Sequence, residues 1–319
     1  MKRITMAVLS AFLVIIITFL LRNGNYSRTE YMLDTVITIS ADDKKAVDAA
    51  FDEVARLEKL LSAYIPESDV ARINSSAAGE KTQVSAETAY LLKKAYEYNA
   101  LTDGAFDISI KPVSDLWNIK NGGHVPDDAE LENALALMGD VDIKRNEVTL
   151  TKAGMQIDLG GIAKGYVGDK VRDVLLSYGV DSAIADLGGN IVTIGKNGRK
   201  NWTVGLQEPN APRGSIFAKI TSEDNVVVTS GGYERYFEYG GVKYHHIIDP
   251  QTGKNPDNDV LSVTVIADDG TLADALSTAC FIKGKDDGLE LAQKAGVQAV
   301  IYTTGGIYCT DGTDIMQER

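Results

Sequence analysis

Asp158-Leu159-Gly160-Gly161 and Asp186-Leu187-Gly188-Gly189 are two copies of one tetrapeptide, 28 residues apart. Each follows a short apolar run, Met155 to Ile157 in the first and Ala183 to Ala185 in the second. The first runs on into Ile162-Ala163-Lys164-Gly165-Tyr166, which predicts the start of a helix. A strand ending in an acid, then two glycines, then a helix start lets backbone N–H groups approach a phosphate closely. Lys164, within a turn of the glycines, would offset phosphate charge. The same residues also fit two tight turns with acidic caps and a solvated lysine.

Asp274 and Thr278 lie four apart in Ala273-Asp274-Ala275-Leu276-Ser277-Thr278-Ala279. On a helix both oxygens face one side. A carboxylate beside a hydroxyl suits a hard cation such as Mg²⁺, which takes few protein ligands and fills its shell with water and phosphate. A threonine bonded back to its own helix gives the same pattern. Of the three histidines, His124 adjoins a Gly-Gly loop and reads as exposed. His245 and His246 lead into Ile247-Ile248-Asp249-Pro250. Adjacent strand residues face opposite sides, so at most one of the two shares a site with its partners. Such a histidine can take a proton from a hydroxyl nucleophile, or simply pack in a hairpin. Thr102-Asp103-Gly104-Ala105-Phe106-Asp107 is a turn with two acids and an aromatic, and Leu61-Ser62-Ala63-Tyr64 ends a helix. Tyr64 and Phe106 can flank a flat ring such as adenine or isoalloxazine, or pack in the core. The chain has no G-x-x-x-x-G-K-[ST] loop, no G-x-G-x-x-G fingerprint and no serine nucleophile elbow.

The elements that must position these groups follow from local pattern. Glu30 to Ser40 alternates and is rich in Val, Ile, Thr and Tyr, which predicts a strand. Asp42 or Asp43 caps a helix to about Leu61, with Val47, Phe51, Val54, Leu57 and Leu61 as its apolar stripe. Ser85 caps a second, to about Tyr98; Asp127 with Glu130 forms a capping box for a third, ending near Met138 before Gly139. Val148 to Leu150 and Met155 to Asp158 read as short strands, and Ile162 to Tyr178 as a helix closed by Gly179. Strands then dominate: Ser182 to Ala185, Ile191 to Ile194, Trp202 to Leu206, Ile216 to Ile220, Val226 to Thr229 and Val260 to Ala267. Gly240-Gly241 between Arg235 to Tyr239 and Val242 to Ile248 predicts a two-residue hairpin. Leu272 to Ile282 and Asp286 to Ala295 read as helices, and two strands around Gly305-Gly306 close the chain. Helices early and strands late predict an α+β fold, with a local strand–helix–strand unit around 155–186.

The chain has 319 residues, 44% hydrophobic and 24% charged, and a net charge of −13. Apart from the cations Lys2, Arg3 and Arg22 within residues 1–27, the remainder carries −16 and shows no basic stripe, which argues against nucleic-acid binding. An anionic substrate would need a metal ion or a local cation to offset this field. Lys2-Arg3 precede Ile4 to Leu21, 18 residues without a charge and without a clear cleavage site behind them. This predicts an uncleaved signal anchor with linker over 1–28 and the bulk of the protein on the extracytoplasmic face of the cell membrane; a cleaved signal peptide is the alternative. A disulfide between Cys280 and Cys309 is allowed there but not demanded, and Cys280 reads as a buried small hydrophobe.

Taken in order, these segments resemble the ApbE family of FAD:protein FMN transferases. The matching pieces are Leu61 to Tyr64, Thr102 to Asp107, Asp158 to Gly165, Asp186 to Asn190, Thr229 to Phe237, His246 to Pro250 with Thr252-Gly253, and Ala273 to Ala279. The resemblance implies an α+β, T-fold-like domain over 29–319, with mixed and antiparallel sheets and packed helices. It implies attack by a threonine hydroxyl of an acceptor flavoprotein on the FMN phosphorus of FAD, with release of AMP. It implies Mg²⁺ held by Asp274, Thr278 and the carbonyl of Gly161, and an FAD site lined by Leu33, Tyr64, Ala105, Phe106, Asp107, Asp158, Lys164 and Ile247. His246 rather than His245 matches the family histidine. Where many members carry Met-Gly-Thr, this chain has Leu33-Asp34-Thr35, and it lacks the lipoprotein cysteine. Other outcomes of such a site are an FAD pyrophosphatase giving FMN and AMP, or a non-catalytic extracytoplasmic flavin-binding protein.

Overall fold

The computed structural model describes residues 25–212 and 214–318. The expected anchor, 4–21, lies outside the described residues; among those described, no helix is long and apolar enough to cross a membrane. The chain enters through an antiparallel hairpin, β1 (Tyr26–Met32) and β2 (Thr35–Ala41), in place of the single strand expected over 30–40. Leu33 and Asp34 turn it, both left-handed at φ 51° and 61°. That conformation is unfavourable for leucine, which is why propensity hides the turn. Residues 26–28, expected as linker, are the first rungs of the ladder, Tyr26 opposite Ala41.

Helix α1 (Lys44–Leu61) is capped by Asp43, whose carboxylate accepts the N–H groups of Lys45 at 2.7 Å and Ala46 at 3.2 Å. Its expected stripe, Val47 to Leu61, is buried, each large side chain contributing about 1.5–3 kcal/mol. Then come α2 (Asp69–Ser75), β3 (Lys81–Gln83), α3 (Ala86–Leu101), a short 3-10 turn at Ile108–Ile110, α4 (Lys111–Trp117), α5 (Asp128–Ala136), β4 (Val141–Lys144) and β5 (Glu147–Leu150). Ser85 caps α3, and the Asp127–Glu130 capping box opens α5. Next are α6 (Ala163–Ser177), β6 (Ser182–Leu187), β7 (Asn190–Gly195), β8 (Trp202–Gln207), β9 (Ile216–Ser222), β10 (Val226–Gly231), β11 (Tyr236–Tyr239) and β12 (Val242–His245). The chain closes with β13 (Val260–Ala267), α7 (Gly270–Lys283), α8 (Lys285–Lys294), β14 (Gln298–Thr303), β15 (Gly306–Cys309) and β16 (Ile315–Gln317).

The main sheet has the order β1-β2-β6-β7-β10-β13-β14-β15, and every described pairing in it is antiparallel. Its two faces separate by the alternation of strand residues. Val226 and Val228 of β10 join the large core with α1, α6 and α7, while Val227 between them joins Ile266, Val300 and the small β16-β9-β8 sheet. A third cluster of Val113, Trp117, Leu131 and Ile248 ties α4 and α5 to the segment that carries His246. Cys280 and Cys309 are free thiols; Cys280 is buried, which pushes its pKa up to about 12.

Met155 to Asp158 is not a strand, so the strand–helix–strand unit expected around 155–186 does not form. The side chain of Asn74 replaces the missing partner strand. Its Nδ2 donates to Ile157 O and its Oδ1 accepts Ile157 N–H, both at 2.8 Å, and Asp158 N–H donates to Ile108 O at 2.8 Å. The two Asp-Leu-Gly-Gly motifs therefore differ. The first feeds α6; the second is the hairpin turn between β6 and β7, with Gly188 and Gly189 at φ 70° and 98°. A Cβ on Gly188 would sit 2.1 Å from Thr35 Oγ1, so close packing requires glycine there.

Candidate active site

A cleft of about 630 Å³ opens between the β1–β2 turn, the end of α1, the 105–107 turn, the start of α6, the segment after β10, the segment after β12, and α7. That volume lies in the range of small-molecule sites. Leu33, Tyr64, Ala105, Phe106, Asp107, Asp158, Gly161, Lys164, His246, Ile247, Asp274 and Thr278 all line it. Residues drawn from the whole length of the chain are thus brought to one place.

Asp158 folds back on its own loop, accepting Gly160 N–H at 2.6 Å. Ala163 N–H donates to Leu159 O at 2.7 Å, and α6 starts there with no side-chain cap at Ile162. Tyr166 N–H bonds Ile162 O at 3.1 Å, so in the first turn the Lys164 N–H is the donor left for an anion or water. Gly165, the next residue after Lys164, donates its N–H to Asp274 Oδ2 at 2.9 Å. A Cβ on Gly165 would lie 2.0 Å from Gly270 O and 2.8 Å from Asp274 Cβ, so only glycine lets α6 and α7 meet this closely. Lys164 Nζ lies 3.6 Å from Asp274 Oδ1 and donates to Asn190 Oδ1 at 3.2 Å.

Asp274 is 2% exposed. Thr278, one turn further on α7, also lines the cleft; its Oγ1 lies 3.4 Å from Ser230 Oγ, which in turn bonds Ser277 Oγ at 2.8 Å. A Cβ on Gly161 would come within 3.9 Å of Thr278 Oγ1, so the Gly161 backbone borders the same spot. The donors here are carboxylate, hydroxyl and carbonyl oxygens, a set that fits a hard cation. Among the described residues no group of three or more His, Cys, Asp or Glu is placed to hold a metal ion. A cation here would therefore complete its shell with water and a ligand phosphate.

The aromatic pair is arranged differently from expectation. Phe106 is buried, its ring 3.2 Å from where a Gly161 Cβ would be, and it shapes the floor. Tyr64 instead stands 61% exposed at the mouth, with Lys111 and Lys120 Nζ over its ring at 5.0 and 4.8 Å from the centroid. Partial desolvation of its hydroxyl first, then the carboxylates of Asp158, Asp115 and Asp34, raise the Tyr64 pKa. Asp107 caps the 3-10 turn, accepting Ser109 N–H at 2.7 Å, and burial raises its pKa.

His245 and His246 divide as strand geometry requires. The His245 ring packs edge-on against Phe281 at 5.5 Å, whereas His246 faces the cleft. His246 N–H donates to Arg235 O at 3.1 Å, and His246 Nδ1 lies 3.3 Å from the same carbonyl. A carbonyl only accepts, so this contact assigns the proton to Nδ1 and leaves the lone pair on Nε2. Desolvation in the cleft, then Arg235 and His245, lower the His246 pKa from 6.5, so the ring is neutral at physiological pH. His124 is exposed, 3.0 Å from Glu130.

Ser230, Asn190 and Arg235 contribute to this arrangement and were not assigned roles from sequence. The signal was the Thr229 to Phe237 segment and the asparagine that ends the second Asp-Leu-Gly-Gly repeat.

An antiparallel α+β fold with a cleft that joins a lysine at a helix start, an oxygen-lined pocket and a neutral histidine defines a protein that handles phosphate-bearing ligands. The chain belongs to the ApbE family, whose sequence profile matches residues 33–301. It is 36% identical over 289 residues to the FAD:protein FMN transferase of Klebsiella pneumoniae (strain 342), covering 88% of this chain and 90% of that protein. It is 37% identical over 306 residues to the FAD:protein FMN transferase of Treponema pallidum (strain Nichols), covering 88% and 84%. Among solved structures it is similar to the ApbE protein of Thermotoga maritima, with a TM-score of 0.83 and 36% identity over 90% of this chain and 97% of that one. The flavin transferase ApbE of Vibrio cholerae gives 0.81 and 28%, over 90% and 97%.

Proposed function

We propose that this chain transfers FMN from FAD to a threonine hydroxyl of an acceptor flavoprotein, with Mg²⁺ and with release of AMP. The observation that carries the reading is a neutral His246, its Nε2 free, in the same cleft as Lys164 and Asp274. The relatives named FAD:protein FMN transferase support the same chemistry.

The threonine Oγ forms a bond to the FMN phosphorus, the phosphoanhydride bond to AMP breaks, and the hydroxyl proton passes to His246 Nε2. Such a displacement asks the protein mainly for positioning and charge neutralisation. The ammonium of Lys164 and its backbone N–H at the start of α6 face the pyrophosphate. Tyr64 covers a ring of FAD at the mouth, while Leu33, Ala105, Phe106, Asp107, Asp158 and Ile247 shape the remaining wall. Asp274, Thr278 and the Gly161 carbonyl would hold Mg²⁺, which acts as a Lewis acid on the pyrophosphate when bound. We also assign residues 4–21 to a membrane anchor that keeps the domain on the extracytoplasmic face of the membrane.

The test uses residues 25–319 with FAD, Mg²⁺ and a threonine-containing domain of a respiratory flavoprotein. Intact-mass spectrometry should show an FMN-sized gain on the acceptor that EDTA abolishes. AMP formed without that gain would instead identify a pyrophosphatase, and intact FAD a binding protein. Membrane fractionation of the full chain beside 25–319 checks the anchor: only the full chain should sediment.

A further inference from the structure

We infer that Asn255 is a positioning residue for His246, acting by clamping the backbone on both sides of it. The inference rests on the reading of His246 as the base. Asn255 lies ten residues after His245, past the Pro250 turn, yet its side chain bonds both neighbours of His246. Its Oδ1 accepts His245 N–H at 3.0 Å, and its Nδ2 donates to His245 O at 2.7 Å and to Ile247 O at 2.8 Å. An amide has two N–H donors and these two carbonyls use both. The remaining contact, His245 Nδ1 at 3.2 Å from Nδ2, is the longest of the set, and that nitrogen accepts Ile247 N–H at 3.3 Å.

His245 is thus the second half of the clamp. Its ring is fixed by Phe281 on one side and by Gly232 on the other, where an added Cβ would lie 2.8 Å from His245 Cδ2. Burial keeps His245 neutral, its pKa down to about 4, so Nδ1 remains an acceptor. His246 lies between the two clamped residues and is tied on its other edge to Arg235 O. With the backbone held on both edges, only the side-chain torsions of His246 remain free, and its Nδ1 contact with Arg235 O limits those.

A misplacement of about 1 Å at a reacting group costs on the order of 100-fold in rate. The test compares Asn255→Ala, Asn255→Asp, His246→Ala and the two double variants in the full-length enzyme. The transfer rate is measured at saturating FAD, and FAD affinity by flavin fluorescence. Asn255→Asp keeps the shape and the Oδ1 acceptor but sets a charged oxygen against two carbonyls, so it carries the test if Asn255→Ala melts early. The expected result is a loss of about 10–100-fold in kcat with FAD affinity changed less than about threefold, and no further loss when either change is added to His246→Ala. Imidazole ¹⁵N shifts of His246 should move from the Nδ1–H form toward a tautomer mixture. Unchanged kcat in both Asn255 variants, or losses that multiply with His246→Ala, would overturn the clamp while leaving His246 as base. Full activity of His246→Ala would overturn both.

Discussion

Two successive residues of one helix hold the two oxygens of Asp274. Lys164 Nζ stands 3.6 Å from Oδ1, and the N–H of Gly165 donates to Oδ2 at 2.9 Å. The carboxylate is buried, so it is fixed by these two contacts with its charge turned toward the cleft. Asp274→Asn keeps an acceptor for Gly165 and removes the charge. It should lower kcat by about 100-fold, or about 2.7 kcal/mol of barrier, raise the half-saturating Mg²⁺ concentration, and alter FAD affinity by less than fivefold, on the view that uniform binding is little touched. Equal losses in affinity and rate would contradict this placement of the metal.

His246 predicts a particular pH profile. A general base works unprotonated, so activity is lost as pH falls through its pKa. Desolvation in the cleft, then Arg235, hold that pKa below 6.5 in the free enzyme. The acid limb of kcat/KM should therefore lie below pH 6.5. The pyrophosphate of bound FAD favours the imidazolium, so the acid limb of kcat should lie higher. Arg235→Gln removes a neighbouring cation and should move the kcat/KM limb upward. A limb unmoved by that change would show that Arg235 does not set the histidine.

Acid stability follows from His245. Its pKa falls from 6.5 to about 4 on folding, through burial first and then Lys243. Between those values the unfolded chain binds a proton that the folded chain refuses, so stability falls as pH drops from 6.5 toward 4. Thermal melts across that window should show a declining Tm, and His245→Gln should flatten the decline.

What was legible in the sequence was local. Asp43, Ser85 and the Asp127–Glu130 box announce their helices because each satisfies N–H groups within three residues. Gly240-Gly241 announces its hairpin because both positions need positive φ. The cleft residues came from motif order, not from any visible contact. What was hidden depends on sheet register: Asn74 standing in for a strand beside Ile157, Asn190 reaching Lys164, Ser230 meeting Thr278. No local pattern encodes a pairing across 83 residues.

Gly165 is the narrowest point between α6 and α7. Gly165→Ala would force a methyl to within 2.0 Å of Gly270 O, which is backbone and cannot swing aside. The helices must part, at about 1–3 kcal/mol or more, and Lys164 moves away from Asp274 with them. Tm should fall by several degrees and transfer should fall with it. A Tm within about 1 °C of the parent would show that the crossing is looser than described.

Asp34 holds back two cations at the cleft mouth. Its carboxylate lies 2.6 Å from Lys120 Nζ and 3.5 Å from Arg235 Nη2, and its backbone carbonyl accepts from Arg235 at 3.2 Å. Lys120 and Arg235 both line the cleft that would take an anionic dinucleotide. Asp34 is also the left-handed second residue of the β1–β2 turn, a conformation that asparagine tolerates. The strained Leu33 beside it is separately held by its N–H bond to Glu58 at 2.8 Å. Asp34→Asn should therefore keep the turn, and losing exposed ion pairs should cost less than about 1 kcal/mol of stability. With the carboxylate gone, Lys120 and Arg235 are free to face the pyrophosphate, so FAD should bind several-fold tighter at low ionic strength. Because the gain is electrostatic between exposed charges, it should shrink as salt approaches about 1 M. Weaker FAD binding in Asp34→Asn at low salt would mean instead that Asp34 holds those cations in the geometry the ligand uses.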